Sequence, residues 1–335
     1  MKNRQFKLAQ RPQGMVKASD FEFVEASIGE PGDGEVLTKI LYISLDPAMR
    51  GWMNEGKSYI PPVGIGEVMR AGTLGQIVAS KHAGFKVGDY VVGTDGVQDY
   101  AISGAKGYAK VDPKLAPLPK YLGVLGMPGL TAYFGLLEVG QPKAGETVVV
   151  SGAAGAVGQV VGQIAKIIGC KVIGIAGGKD KCDFVVNELG FDACVDYKHE
   201  DVKKALKAKA PEGVDVYFDN VGGDILDAVL TQLRMKARIV ICGAISQYNN
   251  STPVKGPSNY MSLLVNRARM EGMVVFDWAK RYGEGIAQMG QLMAQGKLKS
   301  REHIVEGLKT FPDTLLMLFT GENTGKLVIK VDHAN

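Results

Sequence analysis

Apolar residues run along this chain in two different rhythms, and the change between them falls near residue 122. Before it, short runs at 35–43, 73–80, 89–93 and 98–103 are rich in β-branched and aromatic residues and are broken by Gly, Asp and Pro. That pattern predicts a β-rich region. A proline-rich connector follows, Val111-Asp-Pro-Lys-Leu-Ala-Pro-Leu-Pro119. Beyond it, strand-like and helix-like segments alternate. Strands are predicted at 147–151, 171–176, 193–196, 214–219, 237–242 and 270–276, and helices at 156–168, 180–189, 200–209, 223–233, 258–267 and 282–295. Some of these strands, such as 148–150 and 239–241, are apolar without interruption, which suits a parallel sheet covered by helices on both faces. Six such strands complete a doubly wound α/β sheet. The tail, with a helix near 311–319 and a strand at 326–331, is therefore expected to pair with the β-rich first region.

One turn in the alternating region carries chemistry. Thr147-Val-Val-Val-Ser-Gly-Ala-Ala-Gly-Ala-Val-Gly158 leads from a buried strand through glycines at 152, 155 and 158. Val157, Val160, Val161, Ile164 and Ile168 then form an apolar helical stripe that Gly169 ends. Glycines let a backbone turn tightly and approach a ligand, and a helix start offers unpaired N–H groups to phosphate. This is the logic of a dinucleotide-binding turn, spaced G-x-x-G-x-x-G rather than G-x-G-x-x-G. NAD-binding folds carry an acidic residue after the second strand for the ribose hydroxyls. Here that strand ends in Gly177-Gly178, Lys179 and Lys181 follow, and Lys198 comes after Tyr197 at the end of the third strand. Lysines at a helix N-terminus oppose the helix dipole. A role in holding a 2′-phosphate accounts for them better than chance composition does, so the expected nucleotide is NADPH.

Composition sets bounds on this reading. A length of 335 residues suggests two domains, and 46 % hydrophobic with 22 % charged residues is ordinary for a soluble enzyme-sized protein. A net charge of +4 without a dense Lys/Arg block argues against nucleic acid or a membrane surface as partner. No secretion signal is recognised, nor an apolar run near the roughly 18 residues of a membrane span. Cys170, Cys182, Cys194 and Cys242 are scattered, and His82, His199, His303 and His333 have no ligand-like spacing to one another or to cysteine. No metal site is expected, and a reduced, cytoplasmic protein is the default.

Longer motifs add to this. They are Tyr42-Ile-Ser-Leu-Asp-Pro-Ala-Met-Arg-Gly51, Ser58-Tyr-Ile-Pro-Pro62, Gly123-Val-Leu-Gly-Met-Pro-Gly-Leu-Thr-Ala-Tyr133, the stretch 149–169, Tyr217-Phe-Asp-Asn-Val-Gly-Gly223, Ile241-Cys-Gly-Ala-Ile-Ser-Gln-Tyr-Asn249 and Gly321-Glu-Asn-Thr-Gly-Lys326. Together they make the chain resemble, from end to end, the zinc-independent branch of the medium-chain dehydrogenase/reductase superfamily. Within it the likeness is to prostaglandin reductases, plant alkenal double-bond reductases and above all bacterial curcumin reductases. The resemblance implies a GroES-like β-barrel domain, residues 1–122 and 297–335, around an inserted Rossmann NADPH-binding domain, residues 123–296. It also implies a homodimer and NADPH-dependent reduction of α,β-unsaturated ketones and aldehydes.

By position, the resemblance puts Gly155, Ala156, Val157 and Gly158 at the pyrophosphate, and Lys181 with Tyr197 at the 2′-phosphate. Asn220 lies over the centre of the cofactor, and Cys242, Gly243, Ala244, Ile245, Ser246 and Tyr248 trace the loop after the fifth strand. Met273, Val274 and Val275 supply backbone to the nicotinamide carboxamide, and Asn323 reaches back from the C-terminal segment. Read from residues alone, Asn220 serves equally as a helix cap and Asn323 as a turn residue. Asp46 before Pro47 reads as the cap of a short helix with Arg50 as its partner, and Met127-Pro-Gly129 as a chain reversal.

Hydride addition to the β-carbon of an enone leaves charge on the carbonyl oxygen, which a hydrogen-bond donor must hold when no metal does. A phenol can donate, being protonated at neutral pH. The resemblance points to Tyr248, with a ribose hydroxyl of the cofactor as a second donor and Tyr59 as a companion from the β domain. Loop packing is the plain alternative for both tyrosines. Ala48 and Val265 stand where plant and animal relatives carry tyrosines, which implies a wider or more apolar pocket. Trp52, Tyr59, Met127, Tyr260 and Trp278 are its candidate lining, and a small hydrophobic enone or enal is the expected substrate. Quinone or carbonyl reduction, and a nonenzymatic NADPH-binding sensor, are the competing readings.

Overall fold

In the computed structural model, which describes residues 2–333, the chain forms two compact units. One joins the residues up to Leu122 to those from Glu302 onward; the other is Gly123–Arg301.

The first unit opens with two strands that the apolar runs do not predict, β1 (Lys2–Leu8) and β2 (Phe21–Ser27), paired antiparallel with Phe6 opposite Phe23. Phe6 and Leu8 share one face of β1 with Arg4 and Asn3 is buried on the other, so a polar residue interrupts the period-two signal on the core face. Asn3 is satisfied inside by Gln98 Oε1 at 3.1 Å and the Tyr100 carbonyl at 3.0 Å. Next comes β3 (Val36–Ser44), then the short helix α1 (Ala48–Trp52), then β4 (Thr73–Ser80), β5 (Tyr90–Gly93), β6 (Tyr100–Ser103) and β7 (Ala109–Val111). At α1 the expected Asp46–Arg50 pairing gives way to another. The Asp46 carboxylate takes the ammonium of Lys326 at 2.7 Å, while Arg50 donates to the carbonyls of Pro12 and Gly14.

The second unit begins with α2 (Met127–Phe134), a helix with Pro128 in its first turn where a chain reversal was expected. The alternation that follows is β8 (Thr147–Ser151), α3 (Gly158–Ile168), β9 (Lys171–Ala176), α4 (Lys179–Asp183), β10 (Ala193–Asp196), α5 (Val202–Lys209), β11 (Val214–Asp219), α6 (Gly223–Leu230), β12 (Leu233–Ile241), α7 (Met261–Val265), β13 (Arg269–Gly272) and α8 (Tyr282–Ala294). All neighbours in its six-stranded sheet are parallel, in the order β10-β9-β8-β11-β12-β13. The direction of winding reverses between β8 and β11, which makes their carboxyl ends the switch point. Every residue of β8 and β11 is buried. Two strands of this sheet differ from expectation. β12 starts at Leu233 rather than 237, because its first half exposes Met235 and Lys236, and β13 stops at Gly272, after which Val275–Arg281 is a short helical segment.

The tail supplies β14 (Glu302–Glu306), α9 (Phe311–Thr320) and β15 (Lys326–Lys330) to the first unit. Its main sheet runs β14-β15-β3-β4-β5-β7, with β6 also on β3, and β15 is antiparallel to β3. Phe311 packs its ring on Phe6 and Phe21. Gln163 and Gln159 of α3 bind the backbone of Lys299 and Arg301, which keeps the chain in the second unit to Arg301 rather than 296. The architecture is a doubly wound parallel sheet inserted in a β-rich unit.

Candidate active site

β8 delivers the chain into a closed turn at the switch point. Gly155 N donates to Gly152 O at 2.9 Å, and α3 starts at Gly158. A Cβ at Gly158 would lie 2.3 Å from Gly152 O and 2.8 Å from Ala153 Cα, so the turn can close only on glycine. The bond from Gln159 N to Gly155 O, at 3.1 Å, opens the helical ladder. The N–H groups of Ala156, Val157 and Gly158 precede it, at the positive end of the helix dipole. A cradle with no side chain in the way and N–H groups in series fits a pyrophosphate.

The tip of β9 has a different character. Lys179 is paired with Asp183. Lys181 is half-buried, and burial, followed by the charge of Lys198, holds its ammonium below the usual lysine range. Tyr197 lies on the bare tip, where a Cβ at Gly177 would meet its Oη at 2.7 Å. Asp196, the acidic group at the end of β10, accepts from Gly178 N at 2.7 Å and Lys198 N at 3.1 Å and holds His199 at 2.8 Å. Two cations and a phenol above a tip without its own carboxylate fit a dianionic phosphate better than a ribose diol.

The third part is the carboxyl ends of β11 and β12. Asn220 is not the cap of α6, which falls on Gly222. Its Nδ2 donates to Ser151 O at 2.8 Å and its N to Ser151 Oγ at 3.0 Å, which joins the ends of β8 and β11. Its Cβ stands 3.4 Å from where one on Gly152 would be. The loop after β12 folds onto it: Ile245 N donates to Asn220 O at 3.3 Å, and Ser246 Oγ to Val221 O at 2.6 Å. Tyr248 turns back over Gly243, and its Oη accepts from Ala244 N at 3.1 Å. Burial, with the charge of Asp219 second, pushes the Cys242 thiol up to about 12. Met273 is buried beside this loop and bonds through its N to Ile241 O at 3.1 Å, with Val274 and Val275 next in the chain.

The remaining predicted residues sit as follows. In the second unit, Met127 is exposed in the first turn of α2, Tyr260 is exposed ahead of α7, and Trp278 stacks on the buried Phe134 with centroids 5.8 Å apart. In the first unit, Trp52 ends α1 and packs on the core with the Arg70 guanidinium 5.8 Å from its ring. Tyr59 is exposed, and Asn323 donates to Gly325 O at 3.1 Å, as a turn residue does. Sequence reasoning overlooked Ser151 and Asp219. The signal was there for Asp219: it is a carboxylate closing a buried strand at the switch point. Among the described residues no three His, Cys, Asp or Glu side chains gather as metal ligands would, and no helix is long and apolar enough to cross a membrane.

Comparison with known proteins identifies the family. A family model described as the N-terminal domain of oxidoreductase matches residues 4–111, and one described as zinc-binding dehydrogenase matches residues 156–291. The chain is 44 % identical over 335 residues to the NADPH-dependent curcumin reductase of Escherichia coli (strain K12), covering 98 % of this chain and 97 % of the relative. It is 41 % identical over 336 residues to the NADP(+)-dependent 2-alkenal reductase of Nicotiana tabacum, again covering 98 % and 97 %. The crystal structure of CurA from Vibrio vulnificus in complex with NADPH superposes with a TM-score of 0.94 at 47 % identity, over 99 % of this chain and 100 % of that one. With such likeness along nearly its full length, the chain belongs to the medium-chain dehydrogenase/reductase superfamily of oxidoreductases, in the branch of the curcumin, prostaglandin and alkenal reductases.

Proposed function

We propose that this protein uses NADPH to reduce the C=C bond of small hydrophobic α,β-unsaturated ketones and aldehydes. The observation that carries the reading is the near-full-length likeness to relatives named for reducing curcumin and 2-alkenals. When bound, NADPH supplies the hydride that adds to the β-carbon. Gly155, Ala156, Val157 and Gly158 hold its pyrophosphate through backbone N–H groups, and Lys181 with Tyr197 holds its 2′-phosphate. Asn220 and the 242–248 loop flank the nicotinamide, with the backbone of Met273, Val274 and Val275 at the carboxamide. Tyr248 is the donor to the substrate oxygen. The hydrogen bond its Oη accepts from Ala244 N draws charge from the phenol oxygen and strengthens the O–H as a donor. The working form is a homodimer, a reading supported by the exposed edge of β13. The test is to follow NADPH oxidation with curcumin, 2-alkenals, quinones and saturated aldehydes and to identify each product. Saturated ketones and aldehydes are expected from the first two classes; alcohols, hydroquinones alone, or no turnover at all would overturn the reading.

A further inference from the structure

Asp219 ends β11 and is 1 % exposed. Its Oδ1 accepts from Ser151 Oγ at 3.0 Å, Tyr217 Oη at 2.8 Å, Val221 N at 2.9 Å and Gly222 N at 2.9 Å. Its backbone carbonyl accepts from Cys242 N at 2.9 Å and Gly243 N at 3.1 Å. The other carboxylate oxygen, Oδ2, is buried with no hydrogen-bond partner. A carboxylate taken out of water is costly unless donors answer it, and here the donors converge on one oxygen and leave the second unanswered. The arrangement gathers four donors at a single oxygen. Its logic lies in what the donors hold.

Four of these donors, Ser151, Val221, Cys242 and Gly243, lead to the carboxyl ends of β11 and β12, where the proposed function puts the nicotinamide. Ser151 binds both the N and the Nδ2 of Asn220. Val221 accepts from Ser246 N at 3.2 Å as well as from Ser246 Oγ. Cys242 and Gly243 begin the loop that Tyr248 closes on Ala244. One residue thus fixes, within a bond or two, the backbone amide of Asn220 and, in the 242–248 loop, Cys242, Gly243 and Ser246. The phosphate-binding groups are built separately, by the Gly152–Gly155 turn and by α4 with its neighbours on β10. We propose that Asp219 is the positioning residue for hydride transfer: it sets Asn220 and the 242–248 loop against the nicotinamide and leaves phosphate binding to other groups. This rests on the function proposed above.

Three variants test it. Asp219→Asn keeps an oxygen acceptor without the charge, Asp219→Ala removes both, and Ser151→Ala removes one donor while leaving the carboxylate. In all three the NADPH Kd is expected to stay within about threefold of wild type, because binding strength resides at the phosphates. The kcat on a 2-alkenal is expected to fall about tenfold in Asp219→Asn and Ser151→Ala and about a hundredfold in Asp219→Ala, the loss that an ångström of misplacement produces. The fluorescence of bound NADPH, which reports the surroundings of the nicotinamide, should change in the same order. A kcat within about twofold of wild type in both Asp219→Asn and Ser151→Ala would overturn the proposal. So would an NADPH affinity that falls in step with kcat. If Asp219→Ala does not fold, the other two variants decide. If the wild type reduces no alkenal, the proposed function falls, and bound-NADPH fluorescence unchanged in Asp219→Asn would then overturn the positioning role by itself.

Discussion

Lys179 and Lys181 are two positions apart and carry the same group, yet their surroundings give them opposite work. Lys179 is exposed and neutralised by Asp183 one turn on, an ion pair of little energetic weight. Lys181 is half-buried, and burial and Lys198 hold its ammonium below the usual lysine range. A 2′-phosphate placed between Lys181 and Lys198 would relieve their repulsion, whereas the ribose hydroxyl of NADH would not. Lys181→Ala is therefore expected to raise the KM for NADPH about 10- to 100-fold, the worth of a charge-assisted hydrogen bond, and the KM for NADH by less than about threefold. Lys179→Ala, the control, should move neither by more than about twofold. Steady-state kinetics with both cofactors checks this, and an equal rise in the two KM values for Lys181→Ala would remove the argument for NADPH selectivity at this tip.

At the scale of elements, α3 joins the phosphate turn to the core of the second unit. Val160, Val161, Ile164 and Ala165 face inward, and Gly162 lies under the ring of Phe191, where a Cβ would come within 1.8 Å of Cζ. Gly162→Ala should therefore cost about 1–3 kcal/mol through overpacking, which lowers the melting temperature by about 3–10 °C for a unit of this size. Phe191→Leu in the same background should restore part of the loss; calorimetry that finds Gly162→Ala as stable as wild type would show that the ring moves aside freely. Much of this unit was legible in the sequence, because buried parallel strands read as unbroken apolar runs and α3 as a clear stripe. Legibility failed where a polar residue did an apolar residue's work. Arg4, on the face of Phe6 and Leu8, hid β1, and the exposed Met235 and Lys236 hid the first half of β12. The candidate site followed the same rule. Its backbone part showed through the glycines and its cation through Lys181, but Asp219 reads as the last residue of a strand until Ser151, 68 positions away, is brought to its carboxylate.

At the scale of the whole molecule, the six-stranded sheet has two edges, β10 and β13. All four residues of β13 are exposed, and the segment leading to it exposes Tyr260 by 59 %, Leu264 by 68 % and Val265 by 66 %. An open edge beside so much apolar surface is a template for another strand. Two copies related by a twofold axis can pair β13 antiparallel about Met270. That register sets Arg269 of each copy opposite Glu271 of the other, so opposite charges meet twice across the seam. The sequence of β13 is thus complementary to itself, and sedimentation of the wild type should give twice the chain mass of 35.8 kDa. Glu271→Arg turns both attractions into repulsions and should weaken the dimer about tenfold, taking up to about 1 kcal/mol per cross-strand pair. Met270→Asp sets two carboxylates face to face at the centre of the seam and should leave monomers at concentrations where the wild type is paired. Because Met270 is 37 % exposed and Glu271 is exposed, neither change should lower the cooperativity of unfolding of the separate chain. If both variants sediment at the mass of the wild type, β13 is not the seam.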